Sequence, residues 1–198
     1  MSHAVPAKKS ILEDIRDRAL KGPLSEFDFV RFGDAARKEI EVNPAMGHDA
    51  LGMLACLRGD EKGMRKFHMN ALRLSGRASQ HLSNFAVSLA QLNRLEEAQE
   101  YQLEAAEKDP TNLLQLRFLI ALLHKGRSAD RLALYLERWN SLSQSPYEDI
   151  SVEIEADYLS KYKSIQSSFG RGELSEDEAA MYKDMLFDTE DDIASLHP

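Results

Sequence analysis

The sequence predicts an all-α fold, a stack of antiparallel helix pairs, on three observations. Residue types recur in columns spaced 34 apart. Strong helix formers (Ala, Leu, Glu, Lys, Arg, Gln and Met) are plentiful. Gly-Pro, Asn-Pro and Asp-Pro stops cut the chain into pieces of helix length.

The repeat carries most of the argument. When residues 45–78, 79–112 and 113–146 are laid over one another, Leu51, Phe85 and Leu119 fall in one column. Gly52, Ala86 and Ile120 fall in the next, and Ala55, Leu89 and Leu123 in a third. Met64 aligns with Ala98, and Ala71 with Ala105. Small residues at fixed points let two helices approach closely, and large apolar residues a turn away fill the space between them. One such pair cannot bury its apolar face alone, so pairs stack.

The middle segment, Ser79 to Asn112, reads Leu82, Phe85-Ala86, Leu89, Ala98, Ala105 and Pro110, with Asn93-Arg94 at the turn. In these columns it closely resembles the tetratricopeptide (TPR) repeat; Gln102 stands where that family has an aromatic residue. The first segment is similar, with Leu51-Gly52 as the large–small pair and Gly59-Asp60 at the turn. There Met64 replaces a small residue, His48 replaces an aromatic one, and Gly76 replaces the proline. In the third segment Leu116 and Leu119 match, Ile120 replaces the small residue, and the turn Gly126-Arg127 comes one residue early. Its second helix carries Tyr135, Leu136 and Trp139 as an apolar face. The resemblance covers about residues 45–142 and implies a right-handed superhelical stack, a TPR-like α-solenoid.

The flanks complete one expected α-helical domain over residues 1–198. Residues 10–44 read as an N-terminal helix pair: Ser10-Ile-Leu-Glu13 is a capping-box pattern, and Gly22-Pro23 ends the helix it opens. Ser25 caps the next, Glu26 to Val42, whose Phe29, Phe32, Ala36 and Ile40 form an apolar stripe. Residues 45–146 are the three repeats. Residues 147–187 read as C-terminal capping helices, opened by Ser145-Pro146 and Ser175, and residues 188–198 as an acidic tail.

Composition narrows the function. A net charge of −8 repels phosphate, which argues against nucleic acid and against anionic membrane surfaces. The single cysteine, Cys56, excludes an intramolecular disulfide and a thiolate metal site. Met1 to Ser10 lacks the apolar stretch of a secretory signal, and the longest apolar run, Phe118 to Leu123, is far short of a membrane span. These features lead to the expectation of a soluble, cytoplasmic protein.

The chain carries no phosphate loop, no Gly-x-Ser-x-Gly elbow and no His-Glu-x-x-His pair. Stacked first helices bring His81 and His124 near one another, but no third ligand recurs at metal spacing, so both read as polar groove residues. Cys56 sits beside Leu54 and Leu57 with no activating base, as a small apolar residue does. The expectation is of no enzyme, no cofactor and no metal.

By the resemblance, the first helix of each repeat lines a concave groove. The residues it places there include Met53 from the first repeat and Asn84, Val87 and Gln91 from the second. The third adds Leu114, Arg117, Phe118, Ala121, His124 and Lys125. Asn84 and Gln91 suit a peptide backbone, and the cations around Phe118 suit an apolar segment with a carboxylate at one end. Relatives that clamp the acidic tails of heat-shock chaperones need a lysine and an asparagine where this chain has Asp49 and Met53, which puts that activity in doubt.

The resulting expectation is an adaptor that holds a peptide or protein segment. One rival is a small dedicated chaperone, which looks somewhat like the bacterial secretion chaperones that cradle a client in three repeats. Another is a regulatory or immunity-type protein that neutralises a basic partner through its acidic C-terminal region. Self-association stays open.

Overall fold

The Asn43-Pro44 and Asp109-Pro110 breaks coincide with the ends of helices, and Gly22-Pro23 follows one by three residues. The computed structural model describes residues 9–126, 128–143 and 147. The described residues contain eight helices and no strand: α1 (Ile11–Ala19), α2 (Glu26–Val42), α3 (Pro44–Leu57), α4 (Glu61–Leu74), α5 (Ser79–Gln91), α6 (Leu95–Lys108), α7 (Leu113–Lys125) and α8 (Ala129–Leu142). The expected C-terminal helices and acidic tail lie outside the described residues. The chain divides into two compact units, one ending at Asp109 and the other beginning at Pro110.

Capping chemistry sets the helix starts. The Ser10 and Ser25 hydroxyls accept from the backbone N–H of Glu13 and Asp28, whose carboxylates return bonds to the cap N–H groups, so both boxes form. Asn43 caps α3 with Pro44 in the first turn, and Asp60 caps α4 through the Gly63 N–H at 2.9 Å. The α3–α4 and α5–α6 turns share one solution. Gly59 (φ 75°) and Asn93 (φ 58°) stand 34 apart in the left-handed region, where glycine has no Cβ penalty and asparagine is the best-tolerated side chain.

In the first unit α3 packs on α4, α5 on α6, and α2 on α3. The α2–α3 contact is close because Gly47 lacks a side chain: a Cβ there would lie 2.5 Å from the backbone N of Ile40. The contact between α1, α2 and α3 is a core of Leu12, Ile15, Phe32, Ala36, Ala50, Met53 and Leu54. In the α5–α6 pair, Leu82, Phe85, Ala86, Leu89, Ala98 and Ala105 are all buried at 1% exposure or less. Full burial of one such large side chain is worth roughly 1.5–3 kcal/mol. On the surface, Arg65 bridges Glu61 and Glu97 while Arg94 returns to Glu61, lacing α4 to α6.

In the second unit α7 packs on α8. Leu116, Leu119, Ile120 and Leu123 of α7 are buried, as are Leu132, Tyr135 and Leu136 of α8. Trp139 meets Tyr147 edge to face at 5.4 Å.

Candidate partner-binding site

Two regions bear on partner binding: a buried polar cluster in the first unit, which takes in Asn84 and His81, and the face of α7 in the second, which carries Leu114, Arg117, Phe118 and Lys125. The cluster centres on Asp49, one turn into α3, which has no exposed surface. Its Oδ1 accepts from His68 Nδ1 of α4 at 2.8 Å. Its Oδ2 accepts from His81 Nδ1 at 2.6 Å and from Asn84 Nδ2 at 2.7 Å, both on α5. Positions 81, 84 and 88 lie on one helical stripe, so Ser88 follows on the same face. Its Oγ stands 2.9 Å from His68 Nε2.

Burial disfavours the charge on Asp49, but the bonds from His68, His81 and Asn84 outweigh it and hold the carboxyl below its ordinary range. The His68 ring also stacks on Phe85, with centroids 5.2 Å apart. It leaves so little room above α3 that a Cβ on Gly52 would lie 2.7 Å from the imidazole.

Asp49, His68 and Ser88 therefore stand in the order acid, base and hydroxyl of a nucleophilic relay. Access decides against that chemistry in this conformation. Ser88 is 1% exposed and His68 is fully buried, so no acyl group can come within bonding distance of the hydroxyl. The cluster instead joins three helices, and every donor aimed at Asp49 finds its acceptor. Sequence reasoning missed it. The available signal was the column of Gln102, an expected aromatic position, where the first repeat has His68. His68, fully buried with both ring nitrogens within hydrogen-bond distance of a partner, makes that column a hydrogen-bonded interior in the first repeat.

The cluster also changes what the expected groove residues do. The Asn84 amide donates to Asp49 and so serves the protein's own interior, whereas Gln91, whose Oε1 accepts from Cys56 Sγ at 3.2 Å, stays exposed. Met53 is 7% exposed and packed in the α1–α2–α3 core, because α1 lies on α3, so it is not open to a partner. Val87 remains half-buried. His81 belongs to Asp49. Burial raises the Cys56 thiol above its ordinary range, against a nucleophilic role.

The α7 residues lie on the side opposite its packed face. Leu114 is 76% exposed, and Arg117 and Lys125 are exposed. Phe118, Ala121 and His124 are half-buried. Leu114, Arg117, Phe118, Ala121 and Lys125 follow the 3–4 spacing of one helical face.

Among the described residues no group of three His, Cys, Asp or Glu side chains is placed to hold a metal ion. No described helix is long and apolar enough to cross a membrane. No protein-family model matches the chain, and no curated protein sequence matches it.

Proposed function

We propose that the chain is a TPR-type interaction module, an adaptor that binds a peptide or protein segment along the first helices of its repeats. In this reading the helix pairs stack in a right-handed superhelix, and the partner is a protein, neither a nucleic acid nor a membrane. The observation that carries it is the α7 face: Leu114 and Phe118 beside Arg117 and Lys125, with Leu114 76% exposed while the opposite side of the helix is buried. An apolar anchor bracketed by cations suits a segment with a large apolar side chain and a carboxylate. The even spacing of helix starts at Glu61, Leu95 and Ala129 supports the repeat. The engagement of Asn84 inside the first unit shifts the contact toward α7.

The test is affinity capture from native lysate by the full chain and by an Arg117→Glu, Phe118→Glu double variant of equal helicity. A protein retained by the first and lost from the second supports the reading. Equal retention by both sinks it.

A further inference from the structure

A cleft of about 280 Å³ opens on the first unit between α2, α3 and α4, with Phe29, Val30, Leu51, Leu54 and Phe67 as its apolar walls. Its size selects the occupant. Cavities of roughly 150 Å³ accept one benzene ring. Whole drug-sized ligands need roughly 300–1,000 Å³. The cleft therefore holds one or two large side chains. The apolar surface also continues beyond it. Val30 is 58% exposed, and Phe27, one turn earlier on α2, is 74% exposed. A small molecule seated in the cleft leaves that shoulder in water, whereas a peptide laid along α2 covers it.

Charge narrows the occupant further. Arg37 and Arg58 both line the cleft. The Arg58 guanidinium is held 4.3 Å over the Phe29 ring, which presents its fork at the rim. Arg37 folds back along α2 because Gly33 has no side chain: its Nη1 would lie 3.3 Å from a Cβ there. The one lining carboxylate, Asp60, is committed to capping α4 through the Gly63 N–H. Glu26 and Asp34, which pair with Arg58 and Arg37, are themselves exposed, with side chains 85% and 62% open. Such surface pairs are worth little and exchange readily for a carboxylate brought in on a ligand.

We infer that this cleft is a second docking site, for a segment of a partner protein that carries a Phe or Leu anchor flanked by acidic residues. Its apolar side chain fills the space over Leu54, and its carboxylates meet Arg37 and Arg58. The site is independent of the α7 face.

Fluorescence polarisation with the full chain tests it, using a labelled Glu-Glu-Phe-Leu-Glu-Glu peptide and versions with Gln or Lys in place of all four Glu. Affinity is expected to fall in the order Glu, Gln, Lys. Gly33→Leu, which raises helix propensity while filling the cleft, is expected to weaken binding at least tenfold with unchanged circular dichroism. Arg58→Gln is expected to weaken it severalfold, and Arg117→Glu with Phe118→Glu to leave it unchanged. No binding of the Glu peptide, equal binding of all three, or indifference to Gly33→Leu overturns the proposal. So does 3-phenylpropionate binding as tightly as the peptide, which makes the occupant a small carboxylate, or self-association abolished by Gly33→Leu, which makes it a second copy.

Discussion

The α3–α4 and α5–α6 pairs have the same repeat length and close on different chemistry. In α5–α6 the crossing is apolar, with Ala86 and Ala98 at its centre and Phe85 and Leu89 around it, all at 1% exposure or less, and the neutral amide of Gln102 takes the column of His68. In α3–α4 the same two columns hold Gly52 and Met64, and the missing side chain at 52 makes room for the His68–Asp49 pair. The second solution is directional. Asp49 reaches forward to His81 and Asn84 of α5, so the polar centre of one pair also docks the next helix. An apolar centre of the right volume tolerates small shifts, whereas a carboxylate with three fixed donors admits one register.

The largest expected effects test whether the two centres are equally important. Phe85→Ala should cost about 3–5 kcal/mol through lost burial and the cavity left behind. Asp49→Ala should cost a similar 3–5 kcal/mol, because it strands buried donors that were paired with a charge. Urea denaturation measures both. A loss below about 1 kcal/mol for Asp49→Ala means that the donors find other partners and that the polar centre is dispensable.

A smaller effect separates the two versions of one column. Gly52→Ala should destabilise by about 1–3 kcal/mol because its methyl meets the imidazole, even though alanine is the better helix former. The equivalent Ala86 already carries that methyl and is fully buried. A thermal-melt gain for Gly52→Ala would show that His68 moves aside easily.

Acid sharpens the comparison further. The Asp49 carboxyl is held below its ordinary value of 3.8 in the folded chain, so the unfolded chain takes up the proton first. Its contribution is complete above the ordinary value and is lost as pH falls through the lowered one. The wild-type chain should therefore lose stability faster than Asp49→Asn below about pH 4. Phe85→Ala should parallel the wild type there, because its lost burial carries no proton. Parallel curves for the wild type and Asp49→Asn would contradict this assignment. The smallest effect belongs to the surface. Arg65→Ala, which removes the bridge to Glu61 and Glu97, should cost about 0–1 kcal/mol and less at high salt.

Much of this architecture was readable before any coordinates. The α2 boundaries follow from Ser25 and Asn43-Pro44, because caps and prolines act within a few residues of chain. The buried Gly52, Phe85-Ala86 and Leu119-Ile120, with Leu51 half-buried in the first column, follow from spacing, since a helix repeats its faces every three to four residues. Candidate site residues were less readable. Met53 looks like an open groove methionine until α1 lies over it. Asn84 looks ready for a partner until Asp49 claims it. A residue type states what it can bond to, but not which neighbour arrives first.

The division falls between local and distant interactions. Helix content, helix ends and the 34-residue period are properties of adjacent residues, and the order of residue types suffices to predict them. The burial of Met53, the meeting of Asp49 with His68, 19 positions away, and with His81, 32 away, and the cleft beside Gly33 depend on how helices cross. Crossing is decided by the summed packing of whole faces. Only the folded chain reveals that, among the described residues, the Asp49–His68–Ser88 chain of acid, imidazole and hydroxyl is sealed inside, while Leu114, Arg117 and Lys125 of α7 remain on the surface.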